Sequence, residues 1–371
     1  MIVRHLPLTL MLAVLLVGPA LAQPRMSEFD ATIPTFDVSG PRTITESGIY
    51  RLTRDIEQIG TLGISIFAPE PIEVILDLNG FEIRGSVYIA GGEGRIRVMN
   101  GTIRPTRGFA IGNEARSLEL LDVELFAGIS DIGTPSAIEL RIGEILRIQR
   151  SRIVADRCIF ATSTEPWRFV ADHNVFECGQ EPFRLFGQAG GRIADNRIEI
   201  GPAAPQPLIW PSGGDTLFLR NTWNGEPGQR LVFVGDRYRF AGNRFAGASF
   251  FINGNETQFE DNEIDTGVWG VQPLYGLDIR GDDTKLRGNR IRTSPWMTGV
   301  LVTGDRTRIL ENEIAAIDNP ALRIFGLDSL LRGNRFNRAS QLPFPFLIPV
   351  IVVDPSSDLG DNLCNGEPCF P

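Results

Sequence analysis

Apolar and polar residues alternate in short runs along most of this chain, and in its second half the runs recur as one phrase. Each copy has a glycine eight residues before an asparagine, an apolar residue three before it, and Ile or Phe two after it. The copies are Gly235–Phe245, Gly254–Ile264, Gly281–Ile291, Gly304–Ile314 and Gly326–Phe336. Period-two alternation indicates strands with one buried face. Recurrence of the phrase predicts a repeat architecture.

The asparagine of the phrase recurs well beyond these copies. It is separated by steps of 19 to 28 residues in the series Asn174, Asn196, Asn221, Asn243, Asn262, Asn289, Asn312, Asn334 and Asn362. A unit of about 23 residues cannot bury its apolar face alone, whereas stacked coils can. Asn tolerates a left-handed bend, and its amide can bond the Asn of adjacent coils as a ladder. The pattern predicts an all-β, single-stranded, right-handed parallel β-helix of about 13 coils.

Charges that follow the asparagine support the same stacking. The position one residue later holds Arg244, Glu263, Arg290, Glu313 and Arg335 on successive copies. Each Glu would lie about 4.8 Å from Arg on neighbouring strands, where opposite charges attract. An exposed ion pair contributes only ~0–1 kcal/mol. We therefore interpret these charges as structural rather than catalytic.

The N-terminal residues have the pattern of an export signal. Arg4 precedes an apolar run from Leu6 to Val17, and a small-residue cleavage site ends at Ala22. The run is shorter than the ~18–20 apolar residues of a membrane anchor. We therefore expect a secreted or periplasmic protein with no membrane span after signal removal.

No break in composition separates a second domain. The predicted segments are a signal peptide at 1–22, a lead-in at 23–43, the β-helix at 44–363 and a C-terminal cap at 364–371. Cys364 and Cys369 enclose a turn sequence in the cap, and we expect a disulfide there. If Asp156 takes the ladder position of its coil, Cys158 and Cys178 lie on consecutive coils but two residues out of register, about 8 Å apart, so we expect buried free thiols.

The charge and histidine content limit the kinds of partner and of catalytic chemistry. The formal net charge is −9, and acidic and basic residues are interspersed, which argues against nucleic-acid binding. His173 is the one imidazole left after signal removal, and we interpret it as an outward turn residue in preference to a general base.

The opening strands carry a family resemblance. The runs ITESGIYRLTRDI (44–56), VILDLNGFEIRG (74–85) and VMNGTI (98–103) resemble the first coils of bacterial right-handed parallel β-helix proteins of the pectin lyase-like superfamily. The resemblance implies that fold for nearly the whole mature chain. It implies no single activity, because the superfamily includes pectate and alginate lyases, polygalacturonases, esterases, epimerases and non-enzymatic coils.

One coil carries an unusual run of charge. Since Leu277 and Ile279 should face the interior, the outward band comprises Asp278, Arg280, Asp282, Asp283 and Lys285. A lyase needs a cation or Ca²⁺ to neutralise a uronate carboxylate and a base to remove the C5 proton, and these side chains could serve. The alternative is a solvated turn with internal ion pairs.

The Gly281-Asp282-Asp283 triplet also resembles the paired Asp residues of polygalacturonases, which activate water and protonate the leaving oxygen. The companion motifs of that family are missing. The copies that begin at Gly235 and Gly304 have Gly-Asp at the same place, which assigns the triplet to the repeat turn.

Aromatic residues flank the charged band. Trp269 and Trp296 each stand seven residues after a ladder asparagine, and Tyr275 follows in the longer loop. Stacked in loops on one side of a solenoid, they could form a platform for sugar rings. The alternative is Trp folded back over the end of a turn.

Together these features predict an exported pectin lyase-like protein that binds a polysaccharide. If the protein is an enzyme, we expect lyase-like cleavage of a polymer that contains uronic acids, with Ca²⁺ as a possible cofactor. The alternative class is a non-catalytic structural or surface-interaction solenoid. An open groove lined by Trp269, Trp296, Asp278 and Arg280 would favour sugar binding, whereas a flush surface would favour the structural class.

Overall fold

A computed structural model describes residues 33–127, 136–201, 210–211, 214–267, 275–295, 297–339, 350–352 and 360–369. All regular elements among these residues are β-strands. No helix in the described part of the chain is long and apolar enough to cross a membrane. The export signal predicted at 1–22 lies outside the described residues. Pro34–Pro371 forms one compact unit.

The strands are short except where a single strand bends around a corner of the coil. In chain order they are β1 (Thr35–Val38), β2 (Arg42–Ile44), β3 (Gly48–Leu52), β4 (Ile56–Phe67), β5 (Glu73–Asp77), β6 (Glu82–Ala90), β7 (Arg95–Ile103), β8 (Ile111–Phe126), β9 (Ser136–Gln149), β10 (Arg152–Thr162), β11 (Trp167–Asp172), β12 (Val175–Leu185), β13 (Gln188–Ala194), β14 (Arg197–Ile200), β15 (Trp210–Pro211) and β16 (Thr216–Leu219). They continue as β17 (Thr222–Val234), β18 (Arg239–Ala241), β19 (Arg244–Asn253), β20 (Gln258–Glu260), β21 (Glu263–Asp265), β22 (Tyr275–Arg280), β23 (Lys285–Arg287), β24 (Arg290–Pro295), β25 (Thr298–Thr303), β26 (Arg308–Leu310), β27 (Glu313–Ile317), β28 (Leu322–Ile324), β29 (Leu330–Arg332), β30 (Arg335–Ala339), β31 (Val350–Val352), β32 (Leu363–Cys364) and β33 (Glu367–Pro368).

The strands stack in three parallel columns, which we call faces A, B and C. Face A ends just before the ladder asparagine, face B begins just after it, and face C ends at the glycine of the phrase. One coil shows the order: β26 on face A, β27 on face B and β28 on face C, paired in parallel with β23, β24 and β25 of the previous coil. The terminal hairpin β32–β33 is antiparallel.

The predicted parallel β-helix is therefore confirmed. The stack begins with β1, which pairs in parallel with β3. The coiled region thus starts before Ile44, inside the segment predicted as a lead-in. The stack has about 11 turns, slightly fewer than the 13 predicted.

Alternate side chains of the stacked strands fill the interior, as on β26, where Ile309 is buried between Arg308 and Leu310. On face A, Phe218, Phe240 and Phe259 of successive coils stack with ring centroids 4.7 and 4.4 Å apart. A single coil could not bury these apolar side chains alone, whereas stacking buries them in one continuous column.

The asparagine ladder forms as predicted and is fully buried. Nδ2 of Asn289 donates to Oδ1 of Asn312 at 2.9 Å and to the carbonyl of Phe259 at 2.9 Å. The same contacts link successive members from Asn174 to Asn362, and the N–H of Ser151 joins the start of the series. Buried polar groups need such partners because an unmet one costs ~1–3 kcal/mol.

The left-handed conformation predicted for the asparagine belongs instead to the residue before it. These residues have φ between 48° and 66° and are His173, Asp195, Arg220, Gly242, Asp261, Gly288, Glu311, Gly333 and Asp361. At the bend they project outward, His173 among them, so that the following Asn can turn its amide into the stack. His173 is thus an exposed turn residue.

The charge series after the asparagine adopts the predicted register. Arg244 pairs with Glu263 at 3.6 Å, and Arg290 pairs with Glu313 at 3.5 Å. Both ion pairs join adjacent strands of face B.

The glycine of the phrase is required by close packing between coils. A Cβ on Gly254, Gly281, Gly304 or Gly326 would lie 1.7–2.1 Å from the carbonyl oxygen of the equivalent glycine on the previous coil. The next residue accepts a backbone hydrogen bond from the following coil: Asp236 from Asn255 N–H at 2.7 Å, and Asp282 from Asp305 N–H at 2.9 Å. These contacts form a second ladder, which we call the turn ladder.

The prediction for Cys158 and Cys178 is wrong, because the two residues form a disulfide with Cα atoms 5.6 Å apart. Ser151, rather than Asp156, occupies the ladder position. Cys178 therefore pairs in register with Ala155, and an irregularity just after Ala155 brings Cys158 beside it. Cys364 and Cys369 are also bonded, and they close the terminal hairpin.

Candidate functional site

The charged band is held in ion pairs rather than projecting freely. Asp278 is only 2% exposed, so the outward position predicted for it is covered by neighbouring side chains instead of being open to solvent. Its carboxylate lies 3.3 Å from Arg280 Nη2 and 3.6 Å from Arg230 Nη2. The two guanidinium groups lie over the Phe251 ring at 4.9 and 4.7 Å from its centroid. Together, Arg230, Phe251, Asp278 and Arg280 form what we call the arginine cluster.

The other members of the band stabilise the coil. Asp282 belongs to the turn ladder, and Asp283 accepts hydrogen bonds from Arg306 at 2.7 and 2.8 Å. The Arg306 guanidinium holds the pKa of Asp283 below its usual range. Lys285 Nζ donates to Glu260 Oε1 at 2.7 Å and lowers the pKa of that carboxyl group. These groups are therefore engaged between coils, and their assignment to catalysis stays a prediction.

The predicted aromatic platform is described only in part. Tyr275 is the first residue of β22 and is half-buried. Trp269 and Trp296 lie outside the described residues. The stacked tryptophans therefore remain a prediction.

No group of three or more His, Cys, Asp or Glu side chains that could hold a metal occurs among the described residues. The Ca²⁺ dependence predicted from the sequence stays a prediction.

A concave site lies on face C nearer the N-terminus. It is a groove of about 240 Å³ with walls that include the rings of Tyr88, Phe109 and Phe160. Its polar lining includes Asn113, Glu114, Glu139 and Arg141. We call this site the face C groove.

Strand register brings the groove residues together from four coils. Tyr88 on β6, Gly112 on β8, Glu139 on β9 and Phe160 on β10 follow one another at the same register position. Gly112 carries no side chain, and a Cβ there would lie 2.6 Å from the Phe109 ring. The glycine therefore creates the space in which Phe109 covers the strand.

Hydrogen bonds hold the polar lining in place. Asn113 Nδ2 donates to the Tyr88 hydroxyl at 2.9 Å, and Arg141 Nη1 donates to Glu114 Oε1 at 3.0 Å. Glu139 is exposed, and its carboxylate has no ion pair or hydrogen bond within the described part of the chain. The groove thus combines apolar ring faces with fixed donors and one uncommitted carboxylate.

Sequence reasoning did not identify this groove. Its residues lie in the region where the phrase is absent, and members on adjacent coils are at least 19 residues apart. One sequence signal could have indicated the groove. Tyr88 and Phe160 are aromatic residues at outward positions of alternating strands, and Gly112 occupies the same register position on a strand between them.

No family model and no curated protein matches the chain. Among solved structures, the A-module of the mannuronan C-5 epimerase AlgE6 of Azotobacter vinelandii is similar at 16% identity and a TM-score of 0.41. The alignment covers 80% of this chain and 91% of that module. The chain described above is a parallel β-helix repeat protein, the fold that its opening strands predict.

Proposed function

We propose that this chain is an exported polysaccharide-binding β-helix and that the face C groove holds the sugar. The observation that carries the proposal is the combination, in one concavity, of three aromatic rings with a hydrogen-bonded polar lining. Sugar rings offer apolar C–H faces to aromatic side chains and hydroxyl groups to amides, carboxylates and guanidinium groups. Ligand sites in general pair apolar walls with a few placed polar groups.

The position of the groove suits a long ligand. It lies on the outward surface of a continuous column of parallel strands, and successive coils are about 4.8 Å apart. A polymer could therefore extend beyond the groove in both directions along face C. This geometry favours an oligosaccharide or polysaccharide over a free monosaccharide.

The first test removes one aromatic wall. We expect Phe160→Ala to weaken binding of the best glycan in a panel of neutral and acidic polysaccharides about tenfold, because the sugar loses its stacking surface. Isothermal titration calorimetry and affinity electrophoresis would measure the change. Phe325→Ala is the matched control, since Phe325 is 47% exposed and lies outside the groove lining.

Two results would contradict the proposal. One is a panel in which the wild-type protein binds no glycan. The other is a Phe160→Ala variant that binds as tightly as Phe325→Ala. A non-catalytic structural solenoid would give the first result.

Lyase-like action on a uronate is a second candidate, supported by the arginine cluster. Two guanidinium groups share one buried carboxylate at 3.3 and 3.6 Å, so the cluster has one excess positive charge and donors to spare for a uronate. Phe251 would supply the apolar surface. In this hypothesis Asp278 orients the arginines, because its burial keeps it from a substrate.

The second candidate predicts a measurable product. Incubation of the mature protein with polyuronates, with and without Ca²⁺, should generate the absorbance of unsaturated ends. We expect Arg280→Ala to abolish that signal and Arg244→Ala, an exposed arginine on face B, to leave it intact. Absence of new absorbance across the panel would remove the lyase hypothesis and leave glycan binding at the groove untouched.

A further inference from the structure

We infer that the face C groove takes a neutral sugar residue and that Glu139 is the specificity-determining group that excludes acidic sugars. This inference rests on the proposed glycan binding and goes further by naming the class of sugar unit. It concerns the groove alone and is separate from the arginine cluster.

The charge balance of the groove carries the inference. Its three charged side chains are Glu114, Glu139 and Arg141. Arg141 is committed to Glu114 at 3.0 Å, which leaves the Glu139 carboxylate without a compensating charge among the described residues. A ligand in the groove therefore meets one net negative charge.

The strand register fixes Glu139 in the middle of the binding surface. It lies between Gly112 on one neighbouring strand and Phe160 on the other, with Arg141 two residues further along β9. A sugar stacked on the Phe160 ring would sit one strand spacing, about 4.8 Å, from the Glu139 position. At that distance a carboxylate can accept hydrogen bonds from adjacent hydroxyl groups.

An acidic sugar in the same place would bring two carboxylates together. Like charges within ~4–6 Å repel, and neither Asn113 nor the committed Arg141 supplies a free positive charge. A neutral sugar avoids this repulsion and gains the hydroxyl contacts. The groove therefore distinguishes two sugars of the same shape by charge alone.

The experiment compares two ligands that differ only in charge. The probes are a uronate hexasaccharide and its carboxyl-reduced neutral counterpart. Groove binding is the part of the calorimetric signal that Phe160→Ala removes. We expect the wild-type groove to bind the neutral hexamer at least tenfold more tightly than the acidic one, with a ratio that shrinks at high salt.

Glu139→Gln tests the residue itself, since it keeps the shape and removes the charge. We expect the preference for the neutral hexamer to fall to within about threefold. Glu263→Gln is the control, because Glu263 is a half-buried carboxylate on face B, outside the groove lining. It should leave the ratio unchanged.

The outcomes separate this inference from the proposed function. If the wild-type groove binds the acidic hexamer as tightly as the neutral one, or if Glu139→Gln leaves the ratio unchanged, Glu139 does not set specificity although glycan binding stands. If neither hexamer gives a signal that depends on Phe160, the proposed function fails and the inference fails with it.

Discussion

Gly304→Ala should prevent the protein from folding into a stable stack. The added Cβ would lie 2.1 Å from the carbonyl oxygen and 2.5 Å from the carbonyl carbon of Gly281. Neither atom can move without separating two coils, because backbone rather than a flexible side chain is in the way. We expect a loss of stability of about 4–5 kcal/mol or more, at the upper end for a single substitution. Urea unfolding followed by circular dichroism would measure it.

The control for this prediction is Gly40→Ala. A Cβ on Gly40 meets no atom within 4 Å, and Gly40 lacks a positive φ. We expect its stability to stay within ~0.5 kcal/mol of the wild-type value. Equal unfolding midpoints for the two variants would show that the close approach between coils does not explain the glycine of the phrase.

Asn289→Ala should be the second most damaging change. The substitution removes the Nδ2 donor to Asn312 Oδ1 on the following coil. On the preceding coil it removes a donor to the Phe259 carbonyl and the acceptor of the Asn262 N–H and Nδ2. All these groups are buried and cannot turn to water. With ~1–3 kcal/mol for each unmet polar group, we expect a loss of about 3–5 kcal/mol.

Hydrogen exchange would locate that loss. Since each coil contacts only its neighbours, protection should fall most in the coils around Asn289 and less at the ends of the stack. Asn255→Ala is the matched control, because Asn255 also accepts a backbone N–H, at 2.9 Å, but is exposed. A loss at Asn289 no larger than at Asn255 would contradict a stabilising role for the buried ladder.

The repeat made the fold predictable from sequence. An asparagine that recurs every 19 to 28 residues indicates both where the chain bends and how the coils stack. Its amide needs equivalent partners on the coils before and after it. The same logic misplaced Cys158 and Cys178, since it assigned the ladder position to Asp156. The structure gives that position to Ser151, a residue whose backbone N–H can bond Asn174 without an amide side chain.

The candidate site was less predictable for a physical reason. Charge on one coil indicated Asp278 as an outward group, but whether a side chain on the outer surface is solvated depends on what neighbouring coils place beside it. Arg230 comes from a strand almost fifty residues earlier, and no periodicity connects it with Asp278. The face C groove is set by such neighbours as well, because Phe109 fills a space that exists only through Gly112.

The two ladders run with opposite polarity. In the asparagine ladder the donor belongs to the earlier coil, as when Asn289 donates to Asn312. In the turn ladder it belongs to the later coil, as when the Asp305 N–H donates to Asp282. Their bond dipoles therefore oppose each other along the rod axis. Inserting or deleting a whole coil in this region should therefore change the net dipole along the axis only slightly. The scaffold can then vary in length without building up opposite partial charges at its two ends.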